Sequence, residues 1–489
     1  MSAVPASRCR SVNDRPVAPG GAYVLYWMIA SRRTTANFAL QRAVEWCREL
    51  ALPLLVFEAL RVAYPWASDR LHGFVLQGMS DNARRLARRG VTCFPYAEGT
   101  PSAGRGLLAA LAAKAAVVVT DDYPAFFLPR MIAAAGSALP QRLEAVDANG
   151  LVPVQAAGRS FPTAYAFRRF LQSELPRHLG ELPEDDPLGD APVAGAMIPS
   201  AVTTRWPLAA EKLLAAGPEA LGRLPIDHDT GRVAVIGGTT AAESTLRGFV
   251  AGRLPRYAAQ RRAVEPDVSS HLSPYLHFGH IGAHQVWREV VEHEGWSIED
   301  LAASARGARR GWWGTSEATE AFLDQLVTWR ELGFNTQAFL PDCESLASLP
   351  RWAQATLRAH AADPREQLYT LDEFAAARTH DPLWNAAQTQ LAREGRIHNY
   401  LRMLWGKKIL EWSASPAEAL AVMIELNNRF ALDGRDPNSV SGIFWTLGRY
   451  DRPWFPERPV FGTVRTMSST NTARKMDVKP YLAAYGREG

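Results

Sequence analysis

The sequence predicts an α/β domain built on a parallel sheet, followed by a large all-helical domain. Three observations carry this reading. Short apolar runs of strand formers alternate with amphipathic helical patterns in the first part of the chain. A stretch rich in proline, small residues and acids interrupts that alternation at residues 182–205. Beyond it, almost every periodic segment has helical spacing.

The elements follow in order. Residues 1–20 are polar, hold three prolines and read as a flexible N-terminal arm. Residues 22–29 (AYVLYWMI) form a continuous apolar run suited to a strand buried on both faces. A helix follows, with Ala39, Leu40, Ala43, Val44, Cys47 and Leu50 on one side. Residues 53–57 (PLLVF) make the next strand, and 71–88 a second amphipathic helix. Runs at 91–94, 116–120 and 143–146 continue the alternation, so residues 21–181 read as one α/β domain. After the linker at 182–205, which carries Glu184, Asp185 and Asp186, residues 206–489 read as a helical domain. Helical patterns cover about 208–217, 239–251, 274–294, 316–334, 382–412 and 416–430. Ser415-Pro-Ala-Glu418 and Asp381-Pro382 supply N-caps with proline at the first helical position. No repeat of 20–50 residues is visible.

Composition narrows the function. The 489 residues are 47% hydrophobic and 21% charged, enough for a large core and incompatible with wholesale disorder. A net charge of +4 and a pI near 8.9 suit an anionic partner and an ordinary enzyme alike. The four cysteines (Cys9, Cys47, Cys93, Cys343) are scattered, which argues against a zinc site, a disulfide framework or a cysteine-ligated iron–sulfur cluster; no metal site is expected. No apolar run reaches the ~18 residues of a membrane span, and no signal-peptide core is visible, so the expected location is cytoplasmic. No Gly-x-Gly-x-x-Gly follows the first strand and no Walker loop occurs, which removes the main support for an NAD-binding or ATPase reading. Fifteen tryptophans, twelve of them after residue 200, exceed what a core of this size needs.

Two segments carry chemistry. Tyr257 and then residues 267–279 (DVSSHLSPYLHFG) pack hydroxyls and backbone N–H groups just before Pro274, where a helix N-terminus would suit phosphate oxygens, or would simply be well capped. In residues 396–412 (RIHNYLRMLWGKKILEW), positions 396, 399, 402 and 403 share one helical face. An inward Arg needs a partner, and residues 432–438 (LDGRDPN) offer one; the pair could equally be a structural clamp between helices.

Together these motifs resemble the photolyase/cryptochrome flavoproteins, in which SSHLSPYLHFG, the HNYLRM helix and DGRDPN occur in this order and spacing. Residues 379–388 (THDPLWNAAQ), 393–395 (REG), 405–412 (WGKKILEW) and 458–462 (RPVFG) resemble the class II branch, the cyclobutane pyrimidine dimer photolyases. The resemblance is dense over about 250–480 and thin over the α/β half.

It implies a light-driven lyase that binds FAD in the helical domain and passes an electron from the excited, reduced flavin to a flipped-out dimer. By position, Tyr257, Ser269, Ser270, His271, Leu272 and Ser273 would bind the phosphates and ribityl chain. Asn399, Arg402, Asp433 and Asp436 would line the ring, with Arg330, Arg435 and Asn438 also in the cofactor set. Asn427 is the candidate for the amide near flavin N5, with Asn438 as rival. Trp384, Trp405 and Trp412 match the electron-transfer chain that reduces the flavin. Trp329 and Trp445 would flank the dimer, Met403 and Tyr369 would complete its pocket, and Arg449 and Arg452 are candidate DNA contacts among a C-terminal cluster with Arg435, Arg465, Arg474 and Lys475. Gln325 departs from the glutamate of class II enzymes one turn from Trp329. The expected partner is UV-damaged DNA, contacted mostly through phosphates by a monomer. The α/β half would hold an antenna, with deazaflavin favoured over methenyltetrahydrofolate. A photosensor and a lyase for 6–4 photoproducts are the alternatives, the latter on the strength of His271, His277 and His280.

Overall fold

The computed structural model describes residues 3–189, 194–304 and 306–486, so residues 190–193 of the expected linker, with both chain ends, lie outside the described residues. Two compact units result: residues 1–156, 174–247 and 271–293 in one, and 157–173, 248–270 and 294–489 in the other. The split is not linear in the chain. Residues 206–247 and 271–293, which by sequence belong to the helical half, pack with the sheet.

The first unit is built on six strands in the order β1-β6-β5-β2-β3-β4. Strands β2 (Tyr23–Met28), β3 (Leu54–Leu60), β4 (Thr92–Ala97), β5 (Ala115–Asp121) and β6 (Arg142–Val146) run parallel, and β1 (Cys9–Ser11) pairs antiparallel with β6. Every residue of β2 is buried, because helices cover both faces. Tyr23, Leu25 and Trp27 enter one core and Val24, Tyr26 and Met28 the other, as the two-residue period of a strand dictates. At the C-terminal edge, Asp121 accepts the backbone N–H groups of Ile29, Ala30 and Ser31 at 2.8, 2.7 and 3.0 Å, and the Tyr26 hydroxyl at 2.8 Å.

The expected N-terminal arm is fixed over much of its length. Arg8 is buried, donates to the carbonyls of Asp147, Gly150 and Leu151, and stacks on Phe38 at 4.6 Å. A buried guanidinium needs such acceptors, and supplying three of them ties residues 6–11 to the sheet edge. The helix expected over 274–294 is two, Ser273–His277 and Ala283–His293. Gly279 breaks it at φ 69°, where a Cβ would come within 1.8 Å of the Ala30 carbonyl oxygen.

The second unit is helical. Glu317–Leu323 leads into a π-helical turn, Asp324–Trp329, and then into Arg330–Phe339. The long pattern 382–412 divides into Pro382–Glu394 and Asn399–Trp412 at Gly395, which adopts φ 71° and donates to the Leu391 carbonyl. Arg396 therefore precedes the second helix and does not share its face with Asn399, Arg402 and Met403. Pro416–Phe430 and Pro437–Thr446 complete the frame around a core that includes Leu401, Leu404, Ile409, Met423, Leu426, Ile443 and Phe444. The caps read from the sequence form: Ser415 accepts the Glu418 N–H, and Asp381 accepts those of Leu383 and Trp384.

Lys407 is 3% exposed and donates to the Thr446 carbonyl at the end of Pro437–Thr446. Burial lowers its pKa to about 7, from about 10.4 in an unfolded chain. Between those values the unfolded state binds the extra proton, so this group's contribution to stability rises with pH through that window. Lys407→Met should unfold at higher urea than the parent near neutral pH, by an amount on the order of a few kcal/mol. That advantage should shrink by about pH 9.

Candidate functional site

Arg402 leaves the first full turn of Asn399–Trp412 and meets Asp433 with Nη2 3.0 Å from Oδ1, while Nη1 donates to Ser439 Oγ at 3.2 Å. Ser439 passes its hydroxyl proton toward Asn427 Oδ1 at 3.1 Å, and Asn427 Nδ2 donates to Asn428 Oδ1 at 3.0 Å. The Asn428 oxygen also accepts the Arg435 backbone N–H at 2.9 Å. Three helices and the Leu432–Asp436 loop are thus joined by one chain of polar contacts. Its inner members are buried, but the side chains of Arg402 and Asp433 each keep 15% of their surface exposed. A cation, a carboxylate and an amide in one row with one open side can bind a flat heterocycle bearing hydrogen-bonding edges and a variable charge. Among the described residues no cluster of three His, Cys, Asp or Glu could hold a metal ion.

The other expected ring-lining residues are placed less uniformly. Asp436 is buried and caps the Pro437 helix through the Asn438 N–H. Asn438 and Asn399 are exposed. Arg435 is buried with φ 70°, and Arg330 is buried with its guanidinium 4.5 Å from the Phe334 ring centre. Met403 lies half-buried beside Arg402.

A second polar group gathers near Tyr257, whose buried ring meets Phe249 and Phe322 edge-on. Asp267 accepts Ser269 through both its N–H and its hydroxyl and pairs with Arg396, which also reaches Glu394 at 3.0 Å. Arg253 reaches the Ser270 carbonyl at 3.5 Å. Two arginines beside two serines suit phosphate oxygens. His271, Leu272 and Ser273 belong to the sheet-containing unit, where Ser273–His277 is a helix of five residues with no side-chain cap. His280 lies there too, fully buried, stacked on Phe74 at 4.9 Å and accepting the Gly238 N–H through Nδ1. Burial lowers its pKa to about 3, so it is a neutral core residue and lends nothing to a histidine pair for 6–4 photoproducts.

The tryptophans form a row. Trp405, Trp384 and Trp412 are all buried. The Trp384 indole donates to the Trp405 carbonyl at 3.0 Å, and its ring stands 6.0 Å from that of Trp412. The Trp405 indole donates to Gln388, a buried amide that sequence reasoning missed. Tyr369 extends this row: its ring neighbours are Phe374, His380 and Trp412, not Trp329 or Trp445, which corrects its assignment to the dimer pocket.

Trp329 and Trp445 stack on one another at 4.7 Å with 17° between planes. A ring held between them would need about 7 Å, so in this arrangement they form a two-layer wall rather than two flanks. Gln325 is half-buried on the π-helical turn that carries Trp329, and the neighbouring Asp324 is engaged by Arg168 at 2.8 Å. Asp324 is therefore committed elsewhere.

Arg449 is not a DNA contact. It is buried, donates to the Cys343 carbonyl and Ser348 hydroxyl at 2.6 and 2.5 Å, and lies 3.9 Å from the Phe444 ring centre. Arg452 and Arg465 are exposed and sit over Trp454 at 4.5 and 4.8 Å, beside Phe455, which is 77% exposed. Trp454 escaped the sequence reading because nothing local marks it as a platform.

No protein-family model matches the chain. Over 481 residues it is 34% identical to the deoxyribodipyrimidine photo-lyase of Methanothermobacter thermautotrophicus, covering 98% of this chain and 97% of that one. It is 33% identical to the enzyme of that name from Oryza sativa, covering 98% of this chain and 90% of the relative, and 32% identical to that of Potorous tridactylus, covering 94% and 80%. Among solved structures, its fold is similar to a class III photolyase from Agrobacterium tumefaciens (TM-score 0.69, 17% identity, 95% and 86% of the two chains). It is also similar to a cryptochrome from Synechocystis (TM-score 0.64, 15% identity, 95% and 88%).

Proposed function

The chain belongs to the photolyase/cryptochrome family, and from that premise we propose that it is a deoxyribodipyrimidine photo-lyase of the class II type, acting on cyclobutane pyrimidine dimers in DNA as a monomer. The observation that carries the proposal is the Arg402–Asp433 pair joined through Ser439 to the buried Asn427, with the Trp405–Trp384–Trp412 row starting on the same helix. The donor set fits FAD, which when bound and reduced would supply the photoexcited electron for ring opening.

Each residue then has a task. Arg402, held by Asp433, presents a fixed positive charge that favours a negatively charged ring. Asn427 is preferred to Asn438 as the amide facing the flavin N5, because it is buried within the Arg402 network while Asn438 is exposed. Ser269 and Ser270, with Arg253 and Arg396 behind them, take the phosphates. The Trp329–Trp445 wall offers an aromatic face to a flipped-out base, worth roughly 1–3 kcal/mol per base stacked. The α/β unit is assigned an antenna, with a deazaflavin favoured over methenyltetrahydrofolate.

An absorption spectrum of the purified protein, followed by illumination with a dimer-containing oligonucleotide, tests this reading. Flavin bands with restored thymines support it. Flavin bands and photoreduction without repair would favour a photosensor instead.

Two further results are expected. Gln325→Glu should raise the repair yield per absorbed photon without much change in DNA affinity, since an amide can donate to a dimer carbonyl but cannot deliver a proton as a carboxyl can. The measurement is repair quantum yield beside a binding isotherm. Arg452→Ala and Arg465→Ala should each weaken binding to dimer-containing and intact duplex alike, and lower the salt slope by about 1. Arg449→Ala should instead lower thermal stability, because its loss leaves the Cys343 carbonyl without that donor and opens space against Phe444.

A further inference from the structure

Tyr369 and His380 form a pair at the outer end of the tryptophan row that repair itself does not use. The phenol oxygen lies 2.6 Å from His380 Nδ1 and accepts the backbone N–H of the same residue at 3.0 Å. A phenol carries one proton, and its oxygen already accepts that N–H. With the imidazole proton on Nε2, the short contact is the hydroxyl donating to Nδ1, and this is the tautomer in which Nδ1 can take a proton. The two rings are nearly parallel, 5.9 Å apart at 19°.

Both residues are anchored. Each directly precedes an N-cap, Thr370 for Leu371–Ala375 and Asp381 for Pro382–Glu394. The Tyr369 N–H donates to the Trp412 carbonyl at 3.2 Å. Its ring centre is 5.7 Å from that of Trp412, and the His380 ring is 4.9 Å away. Tyr369 is half-buried and His380 exposed, so the pair joins a buried indole to solvent.

From this geometry we infer that Tyr369 is the terminal one-electron donor of the row and His380 Nδ1 its proton acceptor. The inference rests on the row's working as proposed above. When Trp412 has given an electron inward and is an indole radical cation, one electron passes to it from Tyr369 and the phenolic proton moves to His380. The products are a neutral indole, a neutral tyrosyl radical and an imidazolium, so the single positive charge moves from Trp412 to His380. An external thiol then returns one electron, and the proton comes back from the imidazolium.

Two features drive the step outward. A phenol that keeps its proton is hard to oxidise, and a base already in hydrogen-bond contact removes that obstacle. The Lys408 ammonium lies 5.1 Å from the Trp412 ring centre, attracted to the face of the neutral indole and repelled by a positive one. Glu411, 2.7 Å from Lys408, reduces that repulsion.

The test uses two ways of making the hole. Flavin-loaded protein is illuminated, and the protein as purified is separately oxidised by photogenerated tris(bipyridyl)ruthenium(III), which bypasses the flavin. Time-resolved absorption and EPR follow the radicals. A tyrosyl signal should replace the indole radical in both arms, form more slowly in D2O, and vanish in Tyr369→Phe. In His380→Phe it should form roughly 10²-fold more slowly, with partial rescue by added imidazole. A tyrosyl signal with the external oxidant alone supports the Tyr369–His380 step and overturns instead the flavin-driven route that feeds it. Absence of the signal in both arms, or its survival in Tyr369→Phe, overturns the assignment.

Discussion

Trp405→Phe and Trp384→Phe should each abolish light-driven reduction of oxidised flavin by an external thiol, while enzyme reduced chemically beforehand should still repair dimers. Trp384 is the middle member of the row, bonded to the Trp405 carbonyl and 6.0 Å from the Trp412 ring. Phenylalanine keeps most of the volume but is far harder to oxidise, so a hole cannot rest there. The comparison of photoreduction with repair by pre-reduced enzyme separates a broken relay from a damaged pocket. A structural cost accompanies each change. Trp405→Phe leaves the Gln388 oxygen, buried with its side chain, without its donor, at about 1–3 kcal/mol. Thermal unfolding should report that loss, and it is too small to explain complete loss of photoreduction in a folded protein.

Asp433→Asn and Arg402→Leu should both deplete the protein of flavin. Breaking a buried pair by removing one partner typically costs about 3–5 kcal/mol. Here both side chains keep 15% exposure, and Ser439 remains as a partner for Arg402, so about 2–4 kcal/mol is the better expectation. If the whole penalty falls on the bound state, flavin affinity drops roughly 30- to 10³-fold. Flavin-to-protein ratio after dialysis checks this, and unchanged ratios in both variants would remove the pair from the flavin site. Asp433→Glu, which keeps the charge, should retain more flavin than Asp433→Asn.

The parallel strands were legible because each carries a short run of strand-forming residues set between helical patterns. β1 was not, since three residues of mixed polarity become a strand only by pairing with β6 and through the Arg8 anchor beside them. The helix breaks at Gly279 and Gly395 were visible as glycines, yet their positive φ is set by contacts with Ala30 and by the helix end at Leu391. The Arg402–Asp433 pair could be read because a buried cation demands an anion and few were available nearby. Arg449 was misread for the opposite reason: its acceptor at Cys343 lies 106 residues away, and a count of basic residues says nothing of which ones are buried. Tyr369 carries no local mark that distinguishes a base-facing ring from one packed on Trp412.

The π-helical turn at Asp324–Trp329 has an evolutionary reading. Such a turn has the form of an α-helix that has taken in one extra residue. Removing one residue within it, Thr328 for example, should restore regular α-geometry and a tighter hydrogen-bond ladder. It would also draw Trp329 one residue closer to Gln325 along the helix. Gln325 and Trp329 would stand three residues apart instead of four, still neighbours but offset, which shifts Trp329 from its stack on Trp445. A more stable helix would then carry a misaimed wall. A single-residue deletion here should therefore be met as a gain in fold and a loss in use, whereas an equal deletion in an exposed loop would be silent.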